Sequence, residues 1–322
     1  MGTLIIRLLG SVEVEFGDCV VRTFPTQKCR TLLSYLAMRH DRRCPRGEIA
    51  GELWPEVDEQ RARNRLSTEL WRLRAVINAT GAADEHYISV GRGDIAFDSS
   101  ASCWIDVAAF EAELSRMAGC DPAALGAADH NALRTAVGWY RGDLLEGLYD
   151  DWCQVPREAL RAQFIAALEL LMRHDMLLGH WSGAAELGRR LLTFDPLLEQ
   201  VHRDLMLAYH RAGDRAQALR QFAICRELLR AQLDVEPMLE TTEVYRQVLE
   251  SEVSGVAGTT VRRPIDDVAQ LARPSPRRTI DLALSRLDTV QALLHRLRDE
   301  ITAAKPEKQP AGGRRSKDSL DC

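Results

Sequence analysis

The stretch RARNRLSTELWRLR, residues 61–74, holds five arginines and one glutamate in a chain whose formal net charge is -5. Read as a helix, it has one apolar stripe, formed by Ala62, Leu66, Leu70, Leu73 and Ile77. At roughly 100° per residue, Asn64, Thr68 and Trp71 point away from that stripe. Arginines flank both sides, so the stretch predicts either a solvated helix face or a surface for phosphates and base edges.

The surrounding sequence favours the second interpretation. Residues 1–22 alternate like a small antiparallel sheet, Pro25 and Thr26 open a first helix, and Pro45 opens a second. Asp58 is the expected N-cap of the basic helix, and residues 87–97 (YISVGRGDIAF) have the pattern of a β-hairpin. Two short helices, a long basic helix and a hairpin in this order predict a winged helix-turn-helix, with residues 61–74 on the recognition helix.

Composition limits the other classes. The chain has 322 residues and is 46% hydrophobic, which predicts two or three domains, and no apolar run is long enough to span a membrane. Its start has the alternation of strands rather than of a signal peptide. The eight cysteines are scattered without a C-x-x-C pair, so we expect no metal site, no disulfides and a cytoplasmic location. A DNA-binding protein in the cytoplasm would associate with the nucleoid. No residues suggest acid/base or nucleophilic catalysis, so we expect neither an enzyme nor a cofactor.

Charge is distributed unevenly along the chain. Residues 22–74 hold 12 Lys and Arg against 7 Asp and Glu, whereas residues 98–252 hold 15 against 25. The middle of the chain would therefore repel phosphates. Any contact with nucleic acid must come from a local surface near the N-terminus.

The pattern beyond residue 98 is that of helices only. Asp121-Pro122 and Asp195-Pro196 are expected helix starts. A spacing of 34 relates Gly179 to Gly213 and Ala184 to Ala218, which is the tetratricopeptide period. The predicted fold is therefore mainly α: a small N-terminal α+β domain, the winged helix (1–98), an all-α repeat domain of tetratricopeptide type (99–252), and a C-terminal tail.

The C-terminal 70 residues divide into three predicted segments. Residues 253–278 have a linker composition, 279–305 an amphipathic helix, and 306–322 a disordered tail. The helix has a short heptad seam, formed by Leu284, Leu287, Val290, Leu294, Leu297 and Ile301. That seam either packs back on the body or joins a second subunit as a homodimer.

Two parts of the chain resemble one family. Residues 53–74 (LWPEVDEQRARNRLSTELWRLR) resemble the junction before the recognition helix in bacterial activators of the antibiotic-regulatory-protein type, which carry an OmpR-like winged helix. Residues 132–161 and 195–237 are similar to the bacterial transcriptional activator domain that follows it there. The matching residues are Tyr140 to Leu145 (YRGDLL), Trp152, Arg157, Asp195-Pro196, Glu199, His202-Arg203, Leu205-Met206, Gly213, Ala218-Leu219, Leu228 and Pro237.

The resemblance covers about residues 4–250. It implies a sequence-specific activator that binds direct repeats in double-stranded DNA near promoters and recruits RNA polymerase. The hairpin departs from the family, which more often has a Tyr and a Leu on the last wing strand. No G-x-x-x-x-G-K-[ST] motif for a nucleotide occurs in the sequence.

The positions on the predicted helices suggest roles. Base-reading candidates lie opposite or beside the apolar stripe: Asn64, Arg65, Thr68 and Arg72. Candidates for the DNA backbone and the wing lie on its flanks, at the starts of the first two helices and at the hairpin tip: Lys28, Arg30, Arg46, Arg61, Arg63, Arg74 and Arg92. Trp71 is expected to pack against the sheet or the following domain rather than on a base.

A protein-interaction scaffold of tetratricopeptide type is the alternative, with a winged helix that does not read DNA. A DNA reader must show a contiguous positive face on the third helix and the wing, whereas a scaffold needs only a groove on its repeats. Glu56, Glu59 and Glu69 would weaken the first interpretation if they interrupted that face.

Overall fold

The computed structural model describes residues 2–83, 87–98 and 102–251. Strands and three helices occupy the first part of the chain, and helices make up nearly all of the rest, so the predicted fold class is confirmed. The predicted linker, amphipathic helix and tail lie outside the described residues, and with them the seam from Leu284 to Ile301.

The N-terminal sheet begins as predicted. Strands β1 (Leu4–Arg7), β2 (Glu13–Phe16) and β3 (Cys19–Val21) pair antiparallel in that order. The expectation of helices only beyond residue 98 is wrong, because Cys103–Ile105 forms a further strand, here β7, that pairs in parallel with β1. Three residues give too short an alternation to be recognised in the sequence.

Three helices follow the sheet at the predicted positions. They are α1 (Gln27–Ala37), α2 (Arg46–Leu53) and α3 (Glu59–Ala79). Thr26 caps α1, where its side chain accepts from Cys29 N, and Asp58 caps α3 in the same way by accepting from Arg61 N. These caps satisfy backbone N–H groups that have no partner inside the helix.

The wing is a three-stranded sheet. Its strands are β4 (Cys44–Pro45), β5 (Ile88–Val90) and β6 (Asp94–Phe97), in the order β4-β6-β5. Strand β4 directly precedes α2, so the wing and the start of α2 share one small sheet. This arrangement completes the predicted winged helix.

Helices form the remainder of the described chain. They are α4 (Asp106–Met117), α5 (Ala127–Trp139), α6 (Gln154–Leu178), α7 (Trp181–Phe194), α8 (Glu199–Arg211), α9 (Arg215–Leu233) and α10 (Leu239–Glu250). Short 3-10 helices, Pro122–Ala124 and Asp151–Cys153, lie between them. None of the described helices is long and apolar enough to cross a membrane.

The repeat of 34 residues coincides with helix ends and helix contacts. Gly179 and Gly213 follow α6 and α8 with φ of +74° and +85°, a conformation that favours glycine. Ala184 and Ala218 are fully buried. The spacing therefore marks two helical hairpins in succession.

Two of the predicted helix starts differ from the structure. After Asp121 the chain forms only a 3-10 turn, although the side chain caps Ala123 N as expected. Asp195 ends α7, and its Oδ1 accepts from Leu197 N, so α8 begins four residues later at Glu199. An aspartate that caps a turn and one that caps a helix make the same local bond, and the sequence alone does not separate them.

The sheet and the helical region are joined through the YRGDLL segment. Leu9 and Leu144 form an antiparallel bridge, and Gly10 N donates to Asp143 O at 3.0 Å. The buried Asp106 carboxylate accepts from Leu8 N, Leu9 N and Val107 N at 2.8–2.9 Å. One hydrophobic core runs through both regions, which fixes the orientation of the winged helix on the helical body.

Candidate nucleic-acid interface

Helix α3 is anchored by the predicted apolar stripe. The stripe from Ala62 to Ile77 is buried, and Leu66, Leu73 and Ile77 have no exposed surface. The opposite face is exposed from Arg61 through Asn64 and Thr68. A rigid helix with its polar side open can enter a groove without rearrangement of the fold.

Arg65 is the least constrained arginine of this helix. It is exposed, and its guanidinium makes no hydrogen bond or ion pair within the part of the chain that the structure describes. Arg61 pairs instead with Asp58 at 3.2 Å, and Arg63 pairs with Glu59 at 2.6 Å. Arg65 therefore offers a guanidinium whose donors need not leave a protein carboxylate before they bind an external acceptor.

Arg72 is held by a buried carboxylate. Its Nη1 donates to Glu69 Oε1 at 2.6 Å, and Glu69 Oε2 accepts from Thr26 Oγ1 at 2.5 Å. Glu69 itself is 7% exposed. From the sequence, Glu69 is expected only as a charge that could interrupt the surface, although its position beside Leu66 and Leu73 on the helical wheel indicates a place at the edge of the core.

Arg46 connects the three parts of the motif. Its backbone N donates to Gly93 O in the wing turn at 2.9 Å, and its Nη2 donates to Ser67 Oγ on α3 at 2.8 Å. The start of α2, the wing turn and the flank of α3 thus lie together, as the winged-helix prediction requires. Ser67 was not predicted to take part.

Arg92 lies at the tip of the wing. It is exposed and has no hydrogen bond or ion pair among residues 2–83, 87–98 and 102–251. Where the turn closes, Arg43 Nη2 donates to Asp94 Oδ1 at 2.7 Å, and this hydrogen bond holds the pKa of Asp94 below its usual value. Within the described residues, the hairpin therefore presents the cation of Arg92 without a partner, next to the ion pair of Arg43 and Asp94.

Lys28 and Arg30 make contacts with the helical body. Lys28 Nζ lies 3.2 Å from Asp150 Oδ1, and Arg30 Nη2 donates to Gly147 O at 3.0 Å. Either side chain would give up such a contact to reach a phosphate. Arg74 is half-buried on the far flank of α3.

Trp71 does not pack as expected. The structure leaves it 70% exposed, and no described aromatic or cationic side chain stacks on its ring. The prediction that it contacts the sheet or the following domain is wrong, because residue 71 lies opposite the buried stripe, and α3 packs against α1 and α2. Its place in the outward line with Asn64 and Thr68 was already visible in the helical spacing.

Acidic groups do not cross the middle of this face. Glu69 is buried under Arg72, while Glu59 and Asp58 lie in the first turn and pair with their own arginines. Negative charge at the N-terminus of α3 also interacts favourably with the helix dipole. Between Arg65 and Arg72 the only acidic side chain of the helix is the buried Glu69, and Arg46 and Arg92 add positive charge at α2 and the wing.

No group of three or more His, Cys, Asp or Glu side chains in the described ranges is arranged to hold a metal ion. The interface consists of guanidinium, amide, hydroxyl and indole groups on α3, with further arginines at α2 and the wing. These groups can donate hydrogen bonds to phosphates and base edges and can cover apolar groups.

Known proteins match this chain over its helical region and over most of its length. Residues 105–249 match the family model described as the bacterial transcriptional activator domain. The regulatory protein AfsR of Streptomyces coelicolor is 30% identical over 256 residues, which cover 78% of this chain and 25% of AfsR. The chain thus spans about a quarter of the length of AfsR.

Shorter relatives and a solved structure also match. The regulatory protein DnrI of Streptomyces peucetius is 27% identical, with 77% of this chain and 92% of DnrI covered. Mycobacterium tuberculosis EmbR, solved in complex with a low-affinity phosphopeptide, superposes with a TM-score of 0.61 at 18% identity. That superposition covers 84% of this chain and 70% of EmbR, and it shows a shared fold.

Proposed function

The chain belongs to the antibiotic-regulatory-protein type of bacterial transcriptional regulators, and from that premise we propose that it is a DNA-binding activator that reads sequence with α3. The observation that supports this proposal most directly is on the outer face of the anchored helix: Arg65 has no partner among the described residues, and Glu69 holds Arg72 two turns further along the same flank. Arg46, which bonds both the wing turn and Ser67 on the other flank of α3, supports the winged-helix arrangement around this face.

We assign base contacts to Asn64, Arg65, Thr68 and Arg72. A guanidinium can donate two hydrogen bonds to guanine O6 and N7, and a carboxamide can pair with adenine N6 and N7. Each such pair discriminates against the wrong base by about 1–3 kcal/mol. The hydroxyl of Thr68 already donates to Asn64 O at 3.3 Å, which leaves its methyl group for an apolar contact.

The remaining arginines around this face are assigned to the DNA backbone and the wing contact: Arg46, Arg61, Arg63, Arg74 and Arg92. Lys28 and Arg30 stay in this group only as secondary contacts, because both bond the helical body. Phosphate contacts position a protein on the duplex and add affinity for every sequence alike.

The finer parts of the proposal follow from the family. We propose that the chain binds direct repeats near promoters, recruits RNA polymerase through its helical region, acts in the cytoplasm at the nucleoid, and needs neither a cofactor nor catalysis. The proposed domain limits, 1–98 and 99–252, place β7 in the helical domain although it supplies the edge of the N-terminal sheet. A homodimer through residues 284–301 remains part of the proposal.

Selection from the natural genome tests the central part. The purified chain is mixed with genomic fragments at about 150 mM salt, which already reduces nonspecific phosphate attraction. Sequencing of the retained fragments should give a repeated motif, and the double variant Arg65→Ala and Arg72→Ala should lose it while still binding DNA weakly. Diffuse retention without a motif would contradict the proposal and favour the protein-interaction scaffold.

Promoter recruitment has its own measurement. A template that carries the selected repeats upstream of a weak promoter should give more transcript from purified RNA polymerase when the chain is added. A template with scrambled repeats should not respond. Equal transcript from both templates would contradict activation without affecting the DNA-binding proposal.

A further inference from the structure

Trp71 is the largest exposed apolar side chain on α3. It belongs to the outward line of Asn64, Thr68 and Trp71, at spacings of four and three residues, opposite the buried stripe. An indole can bury roughly 150–250 Å² against a partner, and here 70% of the residue's surface is open. Packing within the described chain does not account for a tryptophan at this position.

The polar groups next to Trp71 are engaged within the helix. Thr68 Oγ1 donates to the Asn64 carbonyl at 3.3 Å, and Gln60 Nε2 donates to Asn64 Oδ1 at 3.3 Å. The Thr68 hydroxyl proton therefore has a partner, and the methyl group remains open for an apolar external contact. Trp71 and the Thr68 methyl together form a small apolar patch in the middle of a basic face.

We propose that Trp71 reads thymine, with its indole against the C5-methyl group in the major groove. The thymine methyl is the one apolar group that a base pair presents there, and apolar side chains recognise it by contact. This inference rests on the proposed function of α3, and it names which base the apolar patch selects.

The positive charge around Trp71 favours DNA over a second copy of this chain as the partner that covers the apolar patch. Arg65 lies six residues before Trp71 on the same helix and has no partner in the described residues, and Arg72 directly follows Trp71. A symmetric contact between two such faces would bring like charges together. Phosphates on both sides of a major groove would instead neutralise these cations.

Deoxyuridine substitution isolates the methyl group. Each thymine of the selected operator is replaced in turn by deoxyuridine, which keeps every hydrogen bond of the base pair and removes only the methyl. We expect the wild-type chain to lose about fourfold in affinity at one or two positions, the size expected for one buried methyl group. The variant Trp71→Ala should bind the same substituted operators as well as the unsubstituted one.

Two further variants serve as controls for Trp71→Ala. Trp71→Phe keeps an apolar ring and should retain the response to deoxyuridine, whereas Ala75→Ser, at another exposed position of α3, should behave as wild type. Because Trp71 is exposed, Trp71→Ala should unfold in urea at the same concentration as wild type.

The possible failures are distinguishable. A wild-type chain that prefers its operator over scrambled DNA but ignores every deoxyuridine would overturn the role of Trp71 and leave the proposed function intact. The same conclusion follows if Trp71→Ala changes sedimentation of the free protein and leaves the deoxyuridine response unchanged. A wild-type chain that shows no operator preference overturns both proposals at once.

Discussion

Glu69 Oε1 accepts a hydrogen bond from Arg72 Nη1 at 2.6 Å, and the carboxylate that makes it is buried between α3 and the start of α1. The Thr26 hydroxyl, which also caps α1, donates to the other oxygen of Glu69. Arg72 keeps 36% of its side chain exposed. A guanidinium held in this way loses less rotamer entropy on binding than a free one.

Glu69→Gln tests this support directly. The amide keeps the shape of the carboxylate but removes its charge, so Arg72 is held less firmly. We expect affinity for the operator to fall several-fold while affinity for scrambled DNA changes little. Fluorescence anisotropy with both duplexes measures the two constants. In an Arg72→Ala background the same substitution should have no further effect, and an equal loss there would contradict the coupling.

Arg65→Ala should relax base preference at one position. Loss of a bidentate contact with guanine costs about 1–3 kcal/mol for the correct base and little for the others. The matched control is Arg61→Ala, because Arg61 lies one turn earlier on the same helix and already pairs with Asp58. Affinities for operators changed at each base pair provide the measurement. A uniform loss on every duplex would assign Arg65 to phosphate instead.

Arg92→Ala should flatten the salt dependence of binding. One phosphate contact contributes about 0.9 to the slope of log affinity against log salt, and Arg92 has no ionic partner in the described part of the chain. Lys28→Ala is the matched control and should change the slope less, since Lys28 pairs with Asp150. Titrations between 50 and 200 mM salt, roughly the range over which such slopes are resolved, measure both. A larger effect of Lys28→Ala would reverse the assignment.

The sequence predicted the architecture because its strongest patterns are local. The apolar stripe of α3, the caps Thr26 and Asp58, and the glycine-bearing hairpin each determine a neighbouring element, and all of them occur in the structure. Strand β7 was missed because three residues pair with β1 about a hundred positions away. Such a pairing depends on tertiary contacts, and no periodicity in the sequence indicates it.

The sequence predicted which face of α3 the candidate residues occupy. It did not predict which other residues of the chain bond the candidate side chains. Spacing alone placed Asn64, Arg65 and Thr68 outward, where the structure also has them. The bonds of Lys28 to Asp150 and of Arg30 to Gly147 were not predictable, because they join segments more than a hundred residues apart. The expectation that Trp71 packs follows from the tendency of tryptophans to be at least partly buried. Its position on the helix, opposite the apolar stripe, leaves it exposed instead.

Asp106→Ala should destabilise the junction between the sheet and the helical body. The carboxylate accepts from three backbone N–H groups, and each one left buried without a partner costs about 1–3 kcal/mol. We expect the free energy of unfolding in urea to fall by at least about 3 kcal/mol. Asp106→Asn keeps one accepting oxygen and should lose less. Equal stability of Asp106→Ala and wild type would contradict the role given to this group.

His202 should make the helical region sensitive to acid. Its Nε2 donates to Pro196 O at 2.9 Å and its Nδ1 accepts from Gln221 Nε2 at 2.6 Å, while burial lowers its pKa from 6.5. The neutral ring is thus favoured in the folded state, and below pH 6.5 the unfolded chain binds the additional proton. The contribution of His202 to the free energy of unfolding is therefore fully present above pH 6.5. It falls as the pH decreases, by up to about 1.4 kcal/mol per pH unit.

Urea unfolding at pH 7.5 and 5.5 measures this loss. His202→Gln should be less stable at pH 7.5 but should lose less on acidification than wild type. Some slope should remain, since burial also lowers the pKa of His210. The same pH dependence in wild type and variant would show that His202 is not its source.

The most direct test of the account is the affinity of the wild-type chain for its selected operator compared with a scrambled duplex of equal length. We predict an operator preference of at least about 10³ near 150 mM salt, within the range of sequence-specific readers, and a preference that collapses in the double variant Arg65→Ala and Arg72→Ala. Equal affinity for the two duplexes at every salt concentration would show that α3 does not read DNA.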